Sequence, residues 1–197
     1  MDTELFKALK GRAERSVNRS RFEHSLRVTE TARELCRRYQ ADEHRAALAG
    51  ISHDMCKELP PEALLALASR DGGAITEIEL HKPRLLHGRA AAVTLREEYA
   101  LTDPEILEAV SRHTFGAPRM GTIARIIYIA DKIEPAREQV TPEYLARLAP
   151  LSLDELLFYI ADENISYLEK KGEQVAPVSY ALRESLKKEL AHEKTRL

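Results

Sequence analysis

The chain has 197 residues, 44% of them apolar and 31% charged, which is enough for an ordinary hydrophobic core without disulfide staples. Eight glycines and nine prolines dominate no segment, so collagen-like and broadly disordered architectures are excluded. Thirty basic against 32 acidic side chains leave a formal charge of −2, and 6% of residues are aromatic with no tryptophan, so neither nucleic acid nor an anionic membrane is expected as a partner.

In chain order, the start MDTELFKALKGRAERS lacks the apolar region of a signal peptide. It leads into a basic helical region with Lys7, Lys10, Arg12, Arg15, Arg19 and Arg21, read as a solvated face. Ser20 to Glu23 has the spacing of a capping box and predicts a helix to about Tyr39. Asp42 caps a second helix ending near Asp54, and Pro61 opens a third. After a loop containing Gly72, Gly73 and Pro83, a fourth runs from about Leu86 to Tyr99; Ile75 to Leu80 is too short to count as a strand. Thr102 to Glu105 starts a helix closed near Gly116, and Thr122 starts another that Glu134-Pro135 stops. Ser152 to Glu155 is again a capping box, for a helix ended by Gly172. A final amphipathic helix covers roughly Ser179 to Lys194, and the charged run Arg183 to Arg196 reads as spaced salt bridges or a surface for a second subunit. The expectation is an all-α compact bundle of about eight helices, forming one domain over 1–197 with a core at about 18–140 and C-terminal helices at 150–195.

Cys36 and Cys56 show neither CxxC spacing nor a disulfide framework, which fits a reducing compartment and a cytoplasmic protein. The most apolar stretch, Ile123 to Ile133, is interrupted by Arg125, Asp131 and Lys132 and is far shorter than the ~20 residues of a membrane span. GxGxxG, GxxxxGK[ST] and GxSxG are all absent, so hydride-transfer, P-loop and serine-hydrolase classes lack support.

Chemistry is indicated where titratable residues occupy core positions of the helical pattern. His24 shares a face with Val28 and Leu35, and His53-Asp54 follows the small residues Ala46, Ala49 and Gly50, which allow a neighbouring helix to come close. His113 continues the row of Ile106 and Val110, and Asp131 continues that of Ala124, Ile127 and Tyr128. Taken singly, an inward histidine is usually a hydrogen-bonded core residue and an inward aspartate is usually paired with arginine. Taken together, His24, His53, Asp54 and Asp131 lie on three separate helices, and one metal ion would satisfy both neutral nitrogens and ionised oxygens. Read from position alone, His87 is a helix-start residue satisfied by solvent, Lys57 a cation at a helix C-terminus, and Arg137 a surface charge after a proline turn.

The ordered pattern His24, His53-Asp54, Asp131 resembles the HD-domain metal-dependent phosphohydrolases. The strings RFEHSLRV (21–28), HDMCK (53–57), LLHG (85–88), RHTFG (112–116) and IIYIADKIEPAR (126–137), with PLSLDELL and ISYLEKKGEQVAP near the end, resemble one branch, the YqeK-like symmetrical diadenosine tetraphosphate hydrolases, over about five-sixths of the chain. Cys56 stands where that branch often has alanine, and Ala90 to Ala92 form a plainer stretch than its pattern has, but no polar site residue is lost. The resemblance implies an HD-domain fold with a divalent metal on His24, His53, Asp54 and Asp131, iron in this branch, although manganese, cobalt or zinc suit the same donors. It assigns catalytic roles to Asp54, Lys57, His87 and His113. His87 and His113 would hold either a second metal or phosphate, one metal with phosphate contacts being the favoured version. Substrate, a dinucleoside polyphosphate cut at its centre to two ADP, would contact His24, Lys57, His87, His113, Thr114, Asp131 and Arg137. The alternatives are an HD phosphohydrolase for another nucleotide and a non-catalytic nucleotide or metal sensor; a homodimer is compatible with either.

Overall fold

A computed structural model describes residues 3–194 and contains, among the described residues, eleven α-helices, two 3₁₀ turns and no strand. The all-α class is as expected. The helix count exceeds eight because α1 (Glu4–Ser16) is separate from α2 (Arg19–Tyr39), and because the short α5 (Glu77–His81) and α9 (Pro142–Leu148) lie in stretches read as connections. The others are α3 (Glu43–Ser52), α4 (Pro61–Ala68), α6 (His87–Glu98), α7 (Pro104–Arg112), α8 (Thr122–Ile133), α10 (Leu153–Lys170) and α11 (Pro177–Lys194). No helix among the described residues is long and apolar enough to cross a membrane.

Most caps follow local chemistry, with a correction at α2. Its N-cap is Asn18, whose Oδ1 accepts from Arg21 N at 3.0 Å, rather than Ser20. Asparagine caps as well as serine does, so the helix starts earlier, and Glu23 pairs with Arg19 at 2.6 Å instead of closing a box. Asp42 caps α3 as expected, accepting from His44 N and Arg45 N at 2.8 and 3.0 Å. Asp103 caps α7 and Ser152 with Glu155 caps α10. Helix α8 starts at Thr122 as expected, after Gly121, and α11 starts at Pro177, two residues before the expected position, because proline suits a first helical turn. In α5, Glu79 accepts from both Thr76 N and Thr76 Oγ1, at 2.8 and 2.7 Å, and this fixes a five-residue helix with little apolar signal of its own.

Helix α8 is the central element. Ile126, Ile127, Tyr128, Ile129 and Ala130 are all fully buried, and α2, α3, α7 and α10 surround it. Each such isoleucine contributes on the order of 1.5–3 kcal/mol relative to exposure, which is what holds the end of α8 in the middle of the molecule. Helix α3 packs on α2 at close range: a Cβ on Gly50 would lie 3.0 Å from Thr29 Cα. Helix α1 covers α3, α4 covers α6, and α11 packs on α10. In the charged C-terminal run, Arg183 pairs within the chain with Asp162 at 3.2 Å; its far end, to Arg196, lies outside the described residues.

Candidate metal-binding active site

Five helix segments converge on one buried cluster. The second turn of α2 supplies His24, the turn after α3 supplies His53 and Asp54, the start of α6 supplies His87, the turn after α7 supplies His113, and the end of α8 supplies Asp131. His24 Nε2 lies 3.0 Å from Asp131 Oδ1 and 3.8 Å from Asp54 Oδ2. His53 Nε2 lies 3.5 Å from Asp54 Oδ2 and 3.9 Å from Asp131 Oδ1. His87 Nε2 and His113 Nε2 approach Asp54 Oδ1 to 2.9 and 3.6 Å. His87 is therefore buried in the cluster and not a solvated helix start; it is 1% exposed.

The orientation of each ring follows from its other nitrogen. Nδ1 of His53, His87 and His113 donates at 2.7 Å to the carbonyl three residues earlier, on Gly50, Arg84 and Val110. Carbonyls only accept, so Nδ1 carries the proton and Nε2 presents a lone pair to the centre. His24 Nδ1 instead donates to Glu134 Oε1 at 3.1 Å, a carboxylate that also takes Arg27 Nε at 2.6 Å. Close packing brings the last pair together: a Cβ on Gly88 would meet Val110 O at 2.7 Å and His113 Cε1 at 2.8 Å, so only glycine lets α6 approach α7 this far. His87 Nε2 and His113 Nε2 are 2.8 Å apart. Two lone pairs at that distance repel, so the pair is stable when a proton or another cation lies between them.

Electrostatics separate the donors by charge. Burial pushes His53 down to about 3 and His87 down to about 4, so both rings are neutral. Burial works to raise Asp54 and Asp131, yet neighbouring cations and imidazoles hold both well below the usual carboxylate range: His53, His113 and His87 for Asp54, Lys132 and His24 for Asp131. Among the described residues, His24 Nε2, His53 Nε2 and Asp54 Oδ1 are buried with no hydrogen-bond partner of acceptable geometry. Such atoms carry a desolvation penalty unless something fills the space between them. The ligating atoms of His24, His53 and Asp131 lie within 4.8 Å of one another, as do those of His53, Asp54 and His113. Neutral imidazoles and ionised carboxylates aimed at one point are the donor set of a divalent metal, and the residues fit such an ion.

The centre opens into a cavity of about 1120 Å³ whose wall includes Lys57, Thr114, Lys132 and Arg137. Lys57 Nζ lies 3.0 Å from His87 Nε2 and 3.7 Å from Asp54 Oδ1, and burial lowers its pKa. Thr114 Oγ1 is 3.4 Å from His113 Nε2. Arg137 is no free surface charge: its guanidinium holds Asp131, through the carbonyl at 2.6 Å and Oδ1 at 2.8 Å, while keeping one edge on the cavity. The structure thus brings together every site residue expected from sequence. It adds Glu134, Arg27, Arg21, whose Nη1 donates to Asp54 Oδ2 at 3.0 Å, and Lys132, which bridges Asp131 Oδ2 and the His113 carbonyl at 3.0 and 2.9 Å. Three of these keep a helical spacing to a site residue: Arg21 and Arg27 flank His24 at a spacing of three, and Glu134 follows Asp131 by three.

Residues 21–136 match the family model described as HD domain. The chain is similar to "Bis(5'-nucleosyl)-tetraphosphatase, symmetrical" of Bacillus subtilis, 32% identical over 81% of this chain and 86% of that protein. It is equally similar to the protein of the same description from Halalkalibacterium halodurans, 32% identical over 82% and 86%. Among solved structures, a predicted HD superfamily hydrolase involved in NAD metabolism from Clostridium acetobutylicum superposes with a TM-score of 0.85 at 29% identity, covering 93% of this chain and 97% of that one.

Proposed function

Since the chain belongs to the HD-domain family and, within it, to the symmetrical bis(5'-nucleosyl)-tetraphosphatases, we propose that it hydrolyses diadenosine tetraphosphate and related dinucleoside polyphosphates at the central phosphoanhydride. The observation that carries this reading is the convergence of His24, His53, Asp54 and Asp131, with unpartnered atoms on the first three, beside a cation-lined cavity. In this proposal those four residues hold the metal, and it is iron, as the resemblance to the YqeK-like branch implies; the donors alone suit manganese, cobalt or zinc as well. When bound, such an ion supplies Lewis acidity to a phosphoryl oxygen and acidifies water near neutral pH.

The protein groups do the rest. Lys57, Lys132 and Arg137, with Arg21 behind Asp54, place positive charge around a highly anionic chain, where developing charge on the departing phosphate is stabilised without reorganisation. Water oxygen forms a new bond to one of the two central phosphorus atoms, and the bond from that phosphorus to the bridging oxygen breaks. The Nε2 lone pairs of His87 and His113 take up the proton that the attacking water loses and pass it to the departing oxygen, so each half leaves as ADP. Thr114 Oγ1 offers a hydroxyl to the same oxygen. Two free, buried cysteines are consistent with a cytoplasmic enzyme, which completes the reading.

The test is anaerobic purification with metal analysis, followed by incubation with a nucleotide panel and chromatography of products. ADP alone from diadenosine tetraphosphate supports the proposal. Equimolar ATP and AMP refute central cleavage, and inertness towards every nucleotide with iron and with manganese points to a sensor.

A further inference from the structure

The cavity extends well past the metal-binding centre. It follows α10 from Ile160 to Lys170, about 15 Å at 1.5 Å per residue, and its wall differs at the two ends. Near the C-terminal end of α10, Lys82 pairs with Glu173 across the cavity, beside the apolar side chains of Ile78 and Phe115. Near the N-terminal end stands α9. There Tyr144 is buried and donates its hydroxyl to Glu163 at 2.6 Å, and the guanidinium of Arg147 lies over its ring, 5.5 Å from the centroid. The centre is linked to this end through Arg137, bonded to Asp131, and through Gln139, whose amide donates to the Lys132 carbonyl at 3.1 Å.

Arg147 is exposed on the cavity wall, and no carboxylate pairs with it among the described residues. Two acids at that end are engaged elsewhere: Glu163 accepts from Tyr144, and Asp162 pairs with Arg183 at 3.2 Å. A guanidinium steadied on an aromatic face and left without an internal counter-ion has a flat surface for a base and donors for phosphate or ribose oxygens.

Central cleavage requires a nucleoside diphosphate unit on each side of the breaking phosphoanhydride bond. Resting on the hydrolase reading above, we infer that the two ends of the cavity take one unit each, and that Arg147 on its Tyr144 platform recognises the second nucleoside diphosphate. The end at Lys82 and Phe115 receives the first unit. A substrate with a single nucleoside therefore binds without Arg147, and a substrate with two depends on it.

The test uses the metal-loaded enzyme with Arg147→Ala and Arg147→Lys. KM and kcat are measured for diadenosine tetraphosphate, together with the inhibition constant of adenosine 5'-tetraphosphate, which has the same phosphate chain and one nucleoside. The loss of one charge-assisted contact is expected to raise KM about tenfold in the alanine variant, with kcat within about twofold and the inhibition constant within about twofold; lysine recovers part of the loss. An unchanged KM overturns the inference, and so does a parallel rise in KM and the inhibition constant, which marks a general electrostatic role. A wild-type protein inert towards diadenosine tetraphosphate refutes the hydrolase reading and the inference with it, whereas an active wild type with an indifferent alanine variant refutes the inference alone. Melting temperatures within about 2 °C of wild type show that the exposed substitutions leave the fold intact.

Discussion

Substituting Glu134 isolates the contact that aims His24. In the native protein this carboxylate accepts from His24 Nδ1 at 3.1 Å, Arg27 Nε at 2.6 Å and Ala136 N at 2.8 Å. Glu134→Ala leaves Nδ1 of a 5%-exposed histidine without an acceptor, at about 1.5–3 kcal/mol for a charge-assisted bond. The lost pairing with Arg27 adds less than about 1 kcal/mol, because the Arg27 side chain is 33% exposed and water recovers much of the interaction. The sum of about 2–4 kcal/mol corresponds to about 5–15 °C in melting temperature for the metal-free chain at about 2–4 °C per kcal/mol. Glu134→Gln keeps an oxygen for Nδ1 and loses only the charge, so its expected cost is about 1–2 kcal/mol.

Metal affinity, read by equilibrium dialysis with elemental analysis, is expected to fall about 10–100-fold in Glu134→Ala and less than about tenfold in Glu134→Gln, the usual range for residues that orient a ligating imidazole. Acid adds an independent check. Burial works to raise the Glu134 carboxyl, but Arg27 and the Ala136 amide bring it from 4.5 down to about 2. A carboxyl lowered on folding contributes stability that is present above its unfolded value and lost as pH falls towards its folded value. The glutamine variant should therefore show a flatter loss of metal-free stability between pH 4.5 and 2. An alanine variant with wild-type metal affinity and melting temperature would refute the reasoning.

Three other outcomes are expected. Asp131→Ala should lose bound metal and activity together while far-UV circular dichroism stays near wild type; full activity would remove Asp131 from the centre. Asn18→Ala should cost about 1 kcal/mol in thermal or urea unfolding through loss of the α2 cap, whereas Ser20→Ala should stay within about 0.5 kcal/mol, and the reverse order would restore the serine cap. Burial pushes the Cys36 thiol up to about 12 and raises Cys56 as well, so a disulfide reagent at pH 8 should label neither in the native protein and both after denaturation.

His24, His53, Asp54, His113 and Asp131 were legible in the sequence because each puts a polar group where the helical period demands an apolar one. Glu134 was not legible in the same way. Its place before Pro135 marked a helix stop, and only its contact with a residue 110 positions away reveals that it is buried. Arg21 was counted with the basic residues of the N-terminal region, since one-dimensional charge cannot show that a side chain reaches Asp54 from a position three residues before His24. The α2 cap slipped because Asn18 and Ser20 both have cap chemistry and the competition was settled by the extended backbone at Asn18 and its amide bond to Glu58. Helices α5 and α9 are five and seven residues long, too short for periodicity to register, and owe their existence to Glu79 with Thr76 and to the packing of Tyr144.

The two ways of holding imidazoles have a consequence for how the chain becomes competent during synthesis. His53, His87 and His113 are each steadied within a single turn of their own helix end, so these rings take their working orientation as soon as that turn forms. His24 emerges first of the four histidines but must wait for a carboxylate 110 residues later, and Asp131 arrives with the same segment. A nascent chain that stops before α8 therefore offers three pre-aimed nitrogens and no complete cage. Tight metal capture becomes a property of the finished polypeptide, and premature loading of unfinished chains is disfavoured by the order in which the residues leave the ribosome.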